Sequence, residues 1–304
     1  MPELPEVHTT ATILNKLSKG RTIKYVWTDY NSPYYYGKNN IKDPKYFRKF
    51  SREIKGKKII KVWRRAKNVL IDIEGDQTIL IHMKMTGQLL YGEYKKNTKK
   101  ESEYGWSAAN DGPLRDPFSR FIHLIIELDN GKHIAFSDMR KFGTIKLIPD
   151  EQARKNEFVK YGPEPLEDDF TLKILRERLS KKPNGFIKTV LMDPAIVSGI
   201  GNIYADEILF ASKIRPDRKT SSLSETDCKN IFNNTKKLLT KGIDLGGDSM
   251  SDYRNPYGEK GSFQLHHQAY QRKNEKCLRK GCDGKIERMV INTRSSHFCP
   301  KCQK

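Results

Sequence analysis

The sequence predicts an α+β protein of several domains: an N-terminal helix with a β-sandwich, then a helical domain, then a small C-terminal module built on cysteines. Three observations carry this. Strand-like runs fill residues 22–148, helical spacing dominates from 171 to 242, and four of the five cysteines fall in the last 28 residues. At roughly 150 residues per domain, 304 residues allow two domains and a large core.

The first helix is read from Glu6, where Val7, Ala11, Leu14 and Leu17 recur at helical spacing and Gly20 closes the segment. Pro2, Leu4 and Pro5 are expected to keep the first residues out of it. Strands are predicted at 22–28, 58–63, 68–73, 78–83, 122–128, 133–137 and 143–148, with Asn130-Gly131 as a hairpin turn. Residues 30–47 and 91–119 lack periodicity and read as surface loops. Tyr161-Gly162-Pro163-Glu164-Pro165 breaks the chain. Helices follow at 171–180, 187–192, 203–210 and 225–242, then a glycine-rich irregular stretch at 246–263.

Lysine and arginine number 57 against 37 acidic residues, a net charge of +20. This excess predicts a polyanionic partner, since solubility alone does not need so much charge of one sign. No apolar run approaches the roughly 18 residues of a membrane span, and no basic stretch leads into an apolar core, so membrane and secreted proteins are not expected.

Cys277-x4-Cys282-x16-Cys299-x2-Cys302 can place four thiolates around one tetrahedral ion. Clustered pairs without a secretory leader read as structural zinc rather than disulfides, and four thiolates leave no open position for catalysis. His297 is the alternative ligand, or else a solvated strand residue. Cys228 reads as a bystander. A hairpin bearing Lys285, Arg288 and Arg294 reads as a phosphate-binding finger or a solvated face.

The opening Met1-Pro2-Glu3-Leu4-Pro5-Glu6 has a chemical reading. Removal of Met1 would expose a secondary amine, whose pKa near 8 leaves a nucleophilic fraction at neutral pH. Glu3 and Glu6 would stand beside it as proton carriers. The bland reading is a tail. Gly199-Ile200-Gly201-Asn202 opens a helix whose N–H groups suit a phosphate, or serves helix packing.

MPELPE at the start, RRAKN at 64–68, MTGQL at 85–89, DMRKFG at 138–143, GPEPL at 162–166, GIGNIYADEILF at 199–210 and FCPKCQK at 298–304 occur in this order. Together they resemble the formamidopyrimidine-DNA glycosylase family, which also contains endonuclease VIII. The resemblance covers nearly the whole chain apart from the two excursions. It implies a DNA-repair enzyme with a β-sandwich catalytic domain over 1–150, a helix–two-turn–helix domain over 151–247, a lesion-capping loop and connection over 248–270, and a zinc finger over 271–304. DNA would lie between the domains, with a damaged base flipped out. The family expectation is a monomer acting on damaged double-stranded DNA, and the lack of a targeting signal points by default to the cytoplasm, at the nucleoid.

Carried over by resemblance, Pro2 is the nucleophile at the deoxyribose C1′, Glu3 the general acid that assists ring opening, and Glu6 a supporting carboxylate. Lys67 serves proton transfer and phosphate contact. Arg294 and Asn202 grip the phosphates flanking the lesion, and Arg294 is assigned to δ-elimination. Lys182 is matched to a DNA-binding lysine. Met85, Arg140 and Phe142 match the side chains that fill the void left by the flipped base, although Met85 and Phe142 also fit a core and Arg140 a plain surface. The family's histidine near strand 122–128 has no direct match; Phe121 stands there, beside Arg120 and His123. The first cysteine pair is x4 where the family usually has x2.

Leu4, the Asp-x-Arg-x-Phe-Gly segment and the 248–263 stretch favour the branch that excises oxidised purines, over an endonuclease VIII-like activity on oxidised pyrimidines. A non-catalytic damage-binding protein would share the charge and the zinc finger. A general zinc-ribbon protein for RNA fits the motifs least.

Overall fold

A computed structural model describes residues 1–98 and 105–304. Residues 99–104, part of the expected 91–119 excursion, lie outside the described residues. The chain forms two compact units that are not consecutive in sequence. The first holds Met1–Pro2, Glu6–Val159 and Gly246–Gly261; the second holds Glu3–Pro5, Lys160–Leu245 and Ser262–Lys304.

The helix α1 (Leu4–Ser18), which belongs to the first unit from Glu6 onward, starts earlier than predicted. Pro5 is tolerated because the first-turn N–H it lacks would have no intrahelical partner. Then come β1 (Ile23–Thr28), α2 (Pro44–Ile54), β2 (Ile59–Arg65), β3 (Asn68–Ile73), β4 (Gln77–His82), β5 (Gly87–Gly92), β6 (Tyr94–Lys96), β7 (Trp106–Ala108), β8 (Ile122–Leu128), β9 (His133–Asp138), β10 (Thr144–Ile148) and α3 (Glu151–Phe158). Two antiparallel four-stranded sheets, ordered β1-β8-β9-β5 and β10-β4-β3-β2, make the sandwich. Ile71, Ile79 and Ile81 from one sheet meet Leu89, Leu124 and Phe136 from the other in a dry core. Burial of each such side chain stabilises by roughly 1.5–3 kcal/mol.

The two loop expectations are corrected. Residues 44–54 are helical, because Asp43 caps Lys45 N at 2.8 Å, Pro44 sits at the first turn, and Phe50 and Ile54 are buried. The second excursion contains the paired strands β6 and β7, with Tyr94, Trp106 and Leu90 in a cluster of their own.

The second unit contains α4 (Leu172–Leu179), α5 (Ile187–Leu191), α6 (Asn202–Ser212) and α7 (Glu225–Asp244). Thr171 caps α4, and Ser224 with Asp227 forms a capping box on α7. Leu175, Ile187, Tyr204, Ile208, Ile231 and Leu239 share one core, to which Leu4 contributes. The chain ends in a hairpin of β11 (Glu287–Ile291) and β12 (Arg294–Phe298). Asn292 and Thr293 both have positive φ, the geometry of a two-residue hairpin turn. None of the described helices is long and apolar enough to cross a membrane.

Candidate nucleic-acid site and metal cluster

Pro2 is buried, and so are the two acids beside it: Glu3 is 2% and Glu6 1% exposed. The Glu3 carboxylate accepts Gly201 N at 2.8 Å, Ile203 N at 2.9 Å and Tyr204 N at 3.3 Å. The N-terminus of α6, read from the sequence as a phosphate seat, therefore already holds an anion, and that anion is Glu3. Gly201 is required here: a Cβ would stand 2.3 Å from Glu3 Cδ. Glu6 Oε1 accepts Asp248 N at 2.7 Å.

Lys67 sits half-buried in the two-residue turn between β2 and β3, where Ala66 takes φ 53°. His82 pairs with Asn68 across the ladder. Burial, with the charges of Lys84 and Lys67, pushes the His82 imidazole down to about 3, and its Nδ1 accepts Lys84 N at 3.0 Å. The sequence reading did not single out this neutral histidine.

Met85 and Phe142 are 40% and 48% exposed, which excludes the core reading. The buried Asp138 draws their loops together. Its carboxylate accepts Thr86 Oγ1 at 2.6 Å and Gly143 N at 2.7 Å, and Thr86 Oγ1 in turn accepts Arg140 N at 3.0 Å. The Arg140 guanidinium lies 4.6 Å from the Phe142 ring centroid. A Cβ on Gly143 would stand 2.4 Å from Phe136 Cζ, which accounts for the glycine after the phenylalanine. Lys42, from the first excursion, is buried and donates to Lys141 O at 2.5 Å. Burial lowers its pKa to about 8.

His123 does not face outward. It is buried, with Nδ1 2.8 Å from Asp29 Oδ1 and its ring stacked on Tyr30 at 5.0 Å. Arg120 is exposed, its guanidinium 5.1 Å from the Phe121 ring.

In the second unit, Arg294 opens β12, exposed beside the turn, and Asn202 opens α6. A fully buried ion pair links the two positions. Lys188 Nζ donates to Asp206 Oδ1, to Ser295 O at 3.2 Å and to Asn202 O at 3.4 Å. Asp206 Oδ2 accepts His297 N at 3.0 Å and lies 3.1 Å from His297 Nδ1. Burial lowers the Lys188 pKa, against the pull of Asp206. His297 is thus neither a metal ligand nor solvated. Lys182 lies elsewhere, half-exposed and paired with Asp193.

The four cysteine sulfurs lie within 4.8 Å of one another. Cys277 to Cys302 is 3.8 Å and Cys282 to Cys299 is 3.7 Å. A tetrahedron with metal–sulfur bonds of about 2.3 Å has edges of about 3.8 Å, so the residues present fit one metal ion. The longer x4 spacing closes on the same geometry. Cys228 is buried in α7, apart from the cluster.

Three family models match the chain in order: the formamidopyrimidine-DNA glycosylase N-terminal domain over residues 1–145, its H2TH domain over 161–254, and a zinc finger found in FPG and IleRS over 274–304. The chain belongs to the formamidopyrimidine-DNA glycosylase family. It is 37% identical to the formamidopyrimidine-DNA glycosylase of Herpetosiphon aurantiacus, covering 100% of both chains. It is 36% identical to that of Bacillus subtilis, over 100% of this chain and 99% of the relative. The Lactococcus lactis FPG (MutM), solved with a FAPY-dG-containing DNA, superposes with TM-score 0.80 at 30% identity, covering 99% of this chain and 100% of that one. The protein is therefore a DNA glycosylase of this family, with the family's sandwich, helical domain and four-cysteine finger.

Proposed function

We propose that this chain is a bifunctional glycosylase and AP lyase that removes oxidised purines such as 8-oxoguanine and formamidopyrimidines from double-stranded DNA. The observation that carries the reading is the burial of Pro2 together with that of the two acids that follow it in the sequence, Glu3 and Glu6, each of which accepts backbone N–H. A terminal tail would be exposed and unbonded. Once Met1 is removed, the Pro2 nitrogen attacks C1′ as an amine; the base departs with the glycosidic electron pair and takes a proton. Glu3 takes the proton that the Pro2 nitrogen releases on attack and delivers it to the ring oxygen as the sugar opens, leaving an iminium at C1′. Loss of a C2′ proton then expels the 3′ phosphate, and a second elimination expels the 5′ phosphate. Lys67 carries protons at the sugar. Arg294 and Asn202 hold the flanking phosphates. Met85, Arg140 and Phe142 occupy the vacated stack.

Cys277, Cys282, Cys299 and Cys302 hold one structural zinc, which fixes the hairpin bearing Arg294 and takes no part in the chemistry.

Borohydride trapping on a duplex with 8-oxoguanine opposite cytosine, read by intact mass and peptide mapping, tests this. A DNA adduct at Pro2 on a chain lacking Met1 is expected. Trapping on an oxidised-pyrimidine duplex alone would move the assignment to the endonuclease VIII-like branch. A zinc-loaded, Met1-processed chain that traps on no lesion and no abasic site would leave a damage-binding protein.

A further inference from the structure

The Gly246–Gly261 segment interrupts the second unit to pack on the first. At one end it meets the residues assigned above to chemistry. Asp248 N donates to Glu6 Oε1 at 2.7 Å, and the Tyr253 hydroxyl donates to Glu6 O at 3.0 Å and lies 3.3 Å from Thr10 Oγ1. Directly after Tyr253 comes Arg254, a long cation that is only 2% exposed. Its Nε and Nη2 each lie 2.9 Å from Asp116 Oδ2, and its Nη1 donates to Tyr253 O at 2.8 Å and Ser251 O at 3.1 Å. The guanidinium also lies 5.2 Å from the Phe118 ring. Pro256 O accepts Tyr91 N at 2.8 Å.

Asp116 is itself fixed. Its Oδ1 accepts Phe118 N at 2.9 Å, and Phe118 O accepts Gln88 Nε2 from β5 at 2.6 Å. The anchor thus belongs to the 91–119 excursion, which the catalytic reading leaves unused. An arginine buried this deeply demands its counter-charge, because an unpaired guanidinium cannot stay out of water.

We propose that Asp116 and Arg254 are a positioning pair for base excision: they anchor the Gly246–Gly261 segment, which includes the start of the capping loop that the family resemblance implies, as a wall beside Glu6. The inference rests on the functional reading above. A wall there matters while a base is present. Once the base has gone, an abasic sugar offers it nothing to hold, and the amine chemistry at Pro2 proceeds without it. The exposed Met250, next to Asp248, is the apolar side chain the wall presents.

The test compares wild type, Asp116→Ala, Arg254→Met and the conservative Asp116→Glu on two duplexes, one with 8-oxoguanine and one with a preformed abasic site. Tryptic cleavage after Lys260, a site present in every variant, is followed in parallel. Asp116→Ala and Arg254→Met should slow single-turnover excision tenfold or more, leave abasic-strand cleavage within twofold and speed the tryptic cut tenfold. Asp116→Glu should recover much of the excision. An equal fall in both activities would mean a merely structural role, and unchanged excision would overturn the proposal outright. If wild type cuts abasic DNA but excises no base, the functional reading fails and takes the substrate half of this inference with it; the tryptic ratio still judges the anchor.

Discussion

Replacing Asp206 with asparagine removes one charge from a site with no access to water. Lys188 and Asp206 are both 0% exposed. In Asp206→Asn the ammonium keeps Ser295 O at 3.2 Å and Asn202 O at 3.4 Å but loses its counter-ion, while an amide oxygen can still accept from His297 N. Removing one member of a buried pair costs about 3–5 kcal/mol. The three tryptophans, Trp27, Trp63 and Trp106, all lie in the first unit, so fluorescence follows that unit while far-UV circular dichroism is weighted to the helices of the second. Urea unfolding of the zinc-loaded protein should shift the dichroism transition by that amount and move the fluorescence transition far less. The sign with pH is fixed too. Without the carboxylate the folded lysine pKa falls further below its ordinary 10.5, so the unfolded chain binds the proton more readily and the deficit shrinks as pH rises. Lys188→Met with Asp206→Leu should recover most of the loss. A dichroism shift below about 1 kcal/mol, or a double variant no better than the single, would refute the reasoning.

Gly201→Ala should evict the Glu3 carboxylate from three N–H donors, lowering stability by about 2–4 kcal/mol and abolishing excision; urea titration and a nicking assay check both. Phe142→Ala and Met85→Ala, at exposed positions, should change stability by less than about 0.5 kcal/mol while slowing excision, as single-turnover rates would report. Lys42 titrates near 8 in the fold and 10.5 in the unfolded chain, so stability should rise with pH across that window, and less so in Lys42→Met, in paired urea titrations at pH 7.5 and 10. Asp138 and Lys84 are the charges that act on it. Chelation or Cys282→Ser should release one zinc per chain, measured by atomic absorption, and weaken DNA binding more than it disturbs tryptophan fluorescence.

Much of this fold can be read from local pattern. Apolar runs give β3 and β8, Asn130-Gly131 gives the turn from β8 to its partner β9, and the cysteine spacing gives the finger. The missed elements lack such marks. In α2 lysine and arginine dilute the apolar stripe to Phe50 and Ile54, with Tyr46 and Phe47 partly buried. The strand β5 is bounded by glycines at both ends, which sequence logic reads as loop. The site was legible as a set of residues but not as a set of bonds. Nothing in the spacing of Glu3 and Gly201, or of Lys188, Asp206 and His297, says that they meet, because each pairing depends on how distant segments pack. Lysines 42 and 188 read as two more surface charges in a chain with many.

The division of the first unit between Met1–Pro2, Glu6–Val159 and Gly246–Gly261 bears on how the protein is made. Chains leave the ribosome from the N-terminus, and early domains commonly fold before later ones appear. Here the sandwich emerges without the segment that bonds Glu6, pairs Tyr91 and neutralises Asp116, and it waits for nearly the whole helical unit to be synthesised. Thr10 and Tyr253, in contact, are separated by 243 positions. A fragment ending near residue 159 would carry both sheets yet lack these partners. Completion of the nascent catalytic half is thereby tied to synthesis of the half that carries the finger.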